Sequence, residues 1–191
     1  MPLTPLPSEE NPWTILDTEI KLDTPWVRCK LHKVINPSGS AGIYGVTEFK
    51  NLAIGILPID EEENTYIVGQ YRFPLQTYSW EIPEGGGPLH LDPLDSAKRE
   101  LKEETGIEAA NWELIQTLQV SNSATNEIAY LYLARQLSYG MSEPEEGERL
   151  LIRKIPFAEL YERVNSGEIS DSLTVAAVLK YRLKQLEGSL P

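Results

Sequence analysis

Cysteine is nearly absent from this 191-residue chain: Cys29 stands alone, so no internal disulfide can form and no thiolate metal centre can be built. Histidine is almost as scarce, His32 and His90 being the two present, which excludes a His-rich metal site. Any metal must therefore be held by oxygen. Long apolar runs are missing as well. No stretch approaches the roughly eighteen apolar residues of a membrane span, and residues 1–10 carry Pro and Glu where an export signal would be basic and then apolar. The expectation is a soluble, cytoplasmic chain. Basic charge is in deficit: 17 Lys and Arg against 29 Asp and Glu leave −12, which opposes non-specific contact with nucleic acid or anionic lipid. Such a chain takes a polyanionic ligand where cations neutralise both parties, which points to Mg²⁺ or Mn²⁺.

What is present is enough apolar residue, 41%, for one full core. Residues 1–12, with several prolines and little periodicity, read as a loose arm. From Trp13 to Lys50, the stretches Ile15 to Leu22, Trp26 to Ile35 and Ile43 to Phe49 alternate apolar with polar residues between the turn signals Asp23-Thr24-Pro25 and Asn36-Pro37-Ser38-Gly39. This predicts a small antiparallel sheet, residues 13–50, followed by the main domain, residues 51–191. Leu52 to Ile59 and Tyr66 to Tyr71 are more continuously apolar and predict buried strands joined by the acidic turn Asp60 to Asn64. Strands are also expected at Tyr78 to Ile82, Trp112 to Val120, Ile128 to Arg135 and Leu150 to Ile155, and helices at Phe157 to Ser166 and Leu173 to Leu186. The order implies an α/β fold, a mixed β-sheet with helices on both faces.

The informative helix runs from Pro93 to Thr105. Asp92 is its N-cap, Pro93 takes the first helical position and Gly106 stops it. Leu94, Ala97 and Leu101 form a core-facing stripe. Glu100, Glu103 and Glu104, at spacings of three and four, put their carboxylates side by side. A divalent cation would turn that repulsion into attraction. A solvated charged helix, with Arg99 paired to Glu103, is the other reading of these residues taken alone. Ahead of the helix, Glu84-Gly85-Gly86-Gly87-Pro88 reads as a glycine-rich loop able to bring backbone and carboxylates around one phosphate-sized space.

Gly85, Arg99, Glu100, Leu101, Glu103, Glu104, Gly106 and Ile107 stand at the spacing of the Nudix box. The chain therefore resembles the Nudix hydrolases, with one departure: Leu91 stands where the box has a glutamate. Gln70-Tyr71-Arg72, Trp80-Glu81-Ile82-Pro83-Glu84-Gly85 and Gly167 to Ser172 are similar to the ADP-ribose pyrophosphatase branch. The resemblance implies a Nudix-type α/β/α sandwich preceded by the small sheet. It implies Mg²⁺, or Mn²⁺, held by Glu100, Glu103, Glu104 and the main chain of Glu84. It also implies substrate contacts from Arg72, Gly85 and Gly86, and catalytic parts for Arg99 and Glu103. The water-activating carboxylate falls in the late acidic loop, Glu148 first and Glu146 second.

In part of the branch a tryptophan stacks on adenine. Trp26 falls at that place and Tyr44 near a second aromatic, so the pair is expected either to sandwich a base or to pack in a core. Trp13, Trp80 and Trp112 read as structural. Members often exchange the N-terminal sheet across a homodimer. The activity implied is hydrolysis of the pyrophosphate in a nucleoside diphosphate linked to a second group, ADP-ribose first and other nucleotide sugars behind it. The segment Ser121 to Glu127 lacks the Pro-Gly that many ADP-ribose enzymes carry there. A non-catalytic domain that senses a nucleotide sugar is the alternative, against which the intact Arg99-to-Glu104 run and the absence of a basic DNA-binding segment weigh.

Overall fold

Alternation of apolar and polar residues in the first quarter of the chain resolves into three strands: β1 (Thr14–Asp23), β2 (Val27–Ile35) and β3 (Ala41–Phe49), paired antiparallel in the order β1-β2-β3. The computed structural model describes residues 10–142 and 149–190. Their contacts divide into two units, one holding the chain up to Lys50 together with Ser121–Asn126, the other holding Asn51–Val120 and the residues from Glu127 onward. In the first unit Thr47 receives the segment from 121, its amide donating to the Ala124 carbonyl at 2.9 Å. Tyr44 Oη donates to the Ser123 carbonyl at 2.6 Å. The sheet buries little: every residue of β1 is exposed, Ile15, Leu16, Ile20 and Leu22 among them.

The second unit is built on two sheets. Strands β4 (Asn51–Pro58), β5 (Asn64–Arg72), β6 (Thr77–Glu81), β7 (Glu84–Pro88), β8 (Ile107–Gln119), β9 (Ile128–Tyr139) and β10 (Leu151–Pro156) alternate with helices α1 (Pro93–Thr105), α2 (Phe157–Asn165) and α3 (Ser172–Glu187). One sheet is mixed, in the order β7-β4-β9-β8, with β4 and β9 parallel; the other, β10-β5-β6, is antiparallel. The two-residue strand period assigns alternate residues of the mixed sheet to opposite cores. Ile54 and Ile56 of β4 and Tyr132 and Ala134 of β9 pack with Ala97 and Leu101 of α1. Leu57, Leu131 and Leu133 point the other way, into a core with Leu160 of α2 and Ala177, Val178 and Tyr181 of α3. The result is a helix–sheet–helix sandwich, as the element order implied. No helix among the described residues is long and apolar enough to cross a membrane.

Two expectations need correction. Glu84 to Pro88 is a strand rather than a loop, pairing antiparallel with β4 from Asn51↔Pro88 to Gly55↔Glu84. Three consecutive glycines carry no side chains whose alternation could announce a strand. β8 begins at Ile107, well before Trp112, because its pairing with β9 extends to Ile107↔Tyr139. The run Glu108-Ala109-Ala110-Asn111 has weak strand propensity, and tertiary pairing overrides it.

Candidate active site

Helix α1 is set by its ends. The Asp92 carboxylate accepts the Leu94 amide at 2.9 Å, Pro93 follows, and Gly106 closes the helix in the left-handed region with φ 71°. A side chain at Gly106 would also run into the Gly140 carbonyl. Burial of Ala97 and Leu101 fixes the helix rotation and carries Glu100 and Glu104 toward β7. Glu104, 3% exposed, accepts the amide of Glu84 through Oε2 at 3.0 Å. Glu100 lies against Gly85 so closely that a Cβ there would collide with its carboxylate, which is why the position demands glycine.

Arg99 binds this assembly together. Its guanidinium donates to Glu103 Oε2 at 2.7 Å, to Glu100 Oε1 at 2.6 Å and to the Gly86 carbonyl at 2.8 Å. The helical Arg99–Glu103 pair anticipated for a charged helix is thus present, but the same guanidinium also ties α1 to β7. Burial works against its charge, and the flanking Glu100 and Glu103 more than offset that, holding Arg99 above its ordinary pKa. The region around Glu84 and Gly85 therefore meets a concentration of hard oxygen donors on α1, held close by the three consecutive glycines of β7. That donor set, with the Glu100 carboxylate brought against the backbone at Gly85, fits a divalent cation.

Beside this assembly lies a cavity of about 660 Å³ whose wall includes Arg72, Tyr78, Trp80, Glu81, Glu84 and Asp171. β5, β6, β7 and the cap of α3 supply the charged groups just named. Arg72 ends β5 and donates from Nε to both carboxylate oxygens of Glu81, each at 3.0 Å, while its terminal nitrogen bonds Glu81 and Glu84. Burial disfavours the Arg72 charge, but the Glu81 hydrogen bonds and the Glu84 charge overcome it, so the guanidinium stays above its usual value. Asp171 caps α3, accepting the Thr174 amide at 2.7 Å, and Thr174 Oγ1 accepts the Ile82 amide at 3.0 Å, which pins α3 to the turn between β6 and β7. Burial raises the Glu84 carboxyl well above the usual carboxylate range, and Asp171 and Glu81 add to it against the pull of Arg72.

The structure thus brings Glu100, Glu103, Glu104, Arg99, Gly85, Gly86 and the main chain of Glu84 into one assembly, with Arg72 in the adjoining cavity. Glu146 and Glu148 lie outside the described residues. Trp26 and Tyr44 are not brought together within the chain. Trp26, 68% exposed, precedes the Val27↔Phe49 pair, whereas Tyr44 pairs with His32, about 20 Å along the strand at about 3.3 Å per residue. Tyr44 instead packs edge-on against Trp13, with ring centroids 5.2 Å apart. Sequence reasoning missed Glu81, Asp171 and the side chain of Glu84. It also read Trp80 as purely structural, whereas its ring lines the cavity, with the Arg153 guanidinium 4.3 Å from the ring centre and Tyr78 edge-on at 5.7 Å. The signals were Asp171 standing three residues before Thr174, a capping spacing, and the two branch-like segments that hold Glu81 and Asp171, to which no role had been given.

Comparison with known proteins places this geometry. A family model described as the NUDIX domain matches residues 50–173, a span holding every charged group just described. The chain is 33% identical over 135 residues to an ADP-ribose pyrophosphatase of Mycobacterium tuberculosis, covering 66% of this chain and 63%, less than two thirds, of that protein. It is 33% identical over 135 residues to a methanol dehydrogenase activator of Bacillus methanolicus, covering 70% and 73%. An ADP-ribose pyrophosphatase of Bacillus subtilis is 29% identical over 151 residues, 78% of this chain and 81% of that one. A crystal structure of an ADP compounds hydrolase superposes with a TM-score of 0.82 over 93% of this chain and 97% of that one; at 20% identity it shows the shared fold.

Proposed function

The chain belongs to the NUDIX domain family, and on that footing we propose that it hydrolyses the pyrophosphate of a nucleoside diphosphate linked to another group. ADP-ribose, split to AMP and ribose 5-phosphate, is the first candidate substrate. The observation that carries this reading is the joining of α1 to β7: Glu100 over Gly85, Glu104 on the Glu84 amide and Arg99 on the Gly86 carbonyl, beside a cavity that holds Arg72. Two of the relatives bear the name ADP-ribose pyrophosphatase.

In this reading Glu100, Glu103, Glu104 and the main-chain carbonyl of Glu84 hold Mg²⁺ or Mn²⁺. When bound, such a cation withdraws charge from phosphoryl oxygen and makes a coordinated water more acidic. Arg99 is a positioning residue, keeping two carboxylates and the Gly86 peptide in register. Arg72 meets a substrate phosphate by exchanging part of its contact with Glu84. Gly85 and Gly86 let the phosphates approach the backbone. Glu148, or failing it Glu146, orients and deprotonates the attacking water. The exposed apolar residues of β1 and β3 pair across a twofold axis in a homodimer, in which Trp26 reaches the substrate of the partner subunit.

The test is a panel of nucleotide sugars and dinucleotides incubated with Mg²⁺, with products identified. Metal-dependent release of AMP from ADP-ribose supports the reading, and no cleavage of any member overturns it. A second reading, a non-catalytic regulator, is favoured by Leu91 in place of the box glutamate and by the relative called an activator. Binding of a nucleotide sugar without turnover would establish it.

A further inference from the structure

We propose that Glu81, Glu84 and Asp171 form a second divalent-cation site, separate from the carboxylates of α1, in the wall of the cavity that holds Arg72. Each of the three offers a carboxylate oxygen, and these oxygens lie within 4.8 Å of one another. A hard cation with oxygen ligands at about 2.1 to 2.6 Å spans separations of that order. The three side chains arrive from the end of β6, the start of β7 and the cap of α3, so the fold rather than local sequence assembles them.

The second observation is an atom. Glu84 Oε2 is sealed from solvent and meets no donor among the described residues, the Asp171 carboxylate being the group set against this side chain, although Oε1 of the same carboxylate is bonded by Arg72. A buried carboxylate oxygen without a partner is strongly unfavourable, and a cation supplies what it lacks. Arg72 cannot do so alone. Its single charge already serves Glu81, 3% exposed, and Glu84, and with all three carboxylates ionised one guanidinium leaves a surplus of two negative charges. One divalent cation removes that surplus. Glu84 then stands between two sites, its amide turned to Glu104 of α1 and its side chain to the cavity.

The consequence for function rests on the phosphate-anhydride reading above, while the site itself does not. A cavity whose carboxylates outnumber its one guanidinium repels a phosphate, whereas the same cavity with a bound cation presents Arg72 without that penalty.

The experiment counts Mn²⁺ bound by the full chain at pH 7.5 without nucleotide, using the electron paramagnetic resonance signal of free Mn²⁺. Glu103→Gln with Glu104→Gln weakens the α1 site, and Glu84→Gln with Asp171→Asn is then added. Asn still caps α3 and Gln still accepts from Arg72, so the second pair spares the fold. The α1 double variant is expected to retain one Mn²⁺ per chain, and the added pair to weaken that binding at least tenfold. Terbium luminescence excited through Trp80, which lines the same cavity with Tyr78, should follow the same pattern and fall severalfold in Trp80→Phe. If the added pair unfolds the chain, Glu84→Gln alone is scored by the same readouts. An α1 double variant that binds no Mn²⁺, or binding that ignores Glu84 and Asp171, overturns the proposal in favour of a proton on Glu84. Failure of the hydrolase reading would show as missing turnover in the unmodified chain and would leave the Mn²⁺ count unchanged.

Discussion

Glu103 and Glu104 differ in what they touch, and that difference shapes the first prediction. Glu103 is bonded by Arg99 on the helix surface; Glu104 is buried and accepts the Glu84 amide. Glutamine keeps an acceptor oxygen and the volume at either place while removing the charge. Glu103→Gln and Glu104→Gln are each expected to lower kcat at saturating Mg²⁺ by at least about a hundredfold, an effect of about 2.7 kcal/mol, with the melting temperature little changed. Near-normal turnover in both would remove the metal from α1. Arg72 supplies a second test. An exposed ion pair contributes at most about 1 kcal/mol, but removing one partner of a buried pair destabilises by about 3 kcal/mol. With Glu81 buried beneath it, Arg72→Ala should fall toward the larger figure in denaturant melts, and adding Glu81→Gln should recover part of the loss. A change below about 1 kcal/mol would reduce Arg72 to a surface pair. The α1 residues were legible because a helix fixes their neighbours by spacing. Glu81 and Asp171 were not, since ninety residues separate them and only the docking of α3 on the β6–β7 turn makes them adjacent.

At the scale of elements, the sequence disclosed what periodicity and capping encode and concealed what pairing imposes. The helix α1 could be bounded because Asp92, Pro93 and Gly106 are local signals, and β4 and β9 because their apolar runs are buried on both faces. β7 could not, because Gly85, Gly86 and Gly87 become a strand only through β4. The turn joining β4 to β5 offers a pH-dependent test. Asp60 is 3% exposed, and burial alone would raise its pKa. The Lys154 ammonium at 2.7 Å and the amides of Asn64 at 2.8 Å and Glu62 at 3.0 Å outweigh burial and leave it lowered. A carboxylate with a depressed folded pKa stabilises the fold at pH above its unfolded value, near 3.8, and the contribution is lost as pH falls through the folded value. Asp60→Asn keeps the amide contacts but not the charge. It should melt lower than the unmodified chain at pH 7, and the gap should close below about pH 4. A gap constant from pH 3 to pH 7 would show that the charge contributes nothing.

For the whole molecule the decisive region is the N-terminal sheet, whose apolar residues have no cover within their own unit. Ile15, Leu16, Ile20, Leu22 and Ile43 are each at least half exposed, and apolar exposure of this kind is what a self-association surface would use. A dimer is therefore expected at micromolar concentration, and light scattering should report twice the mass of one 21.5 kDa chain. Trp26 sharpens the test. The strand register keeps it away from Tyr44, so within one chain no base can be held between the two rings, and under the dimer proposed above the indole acts alone on the partner subunit's substrate. At 68% exposure Trp26 contributes little to folding, and Trp26→Ala should leave the melting temperature within a degree or two. If the indole stacks on a purine, the same change should raise KM about tenfold, about 1.4 kcal/mol, with kcat nearly untouched because the ring is remote from phosphorus. Adenine and guanine substrates should suffer alike, since stacking uses a face that every purine offers. Dilution of the unmodified chain below its dimer dissociation constant should mimic the substitution, raising KM as the partner's ring is withdrawn. A monomer with full activity, or a KM indifferent both to Trp26→Ala and to dilution, would separate the N-terminal sheet from substrate recognition altogether.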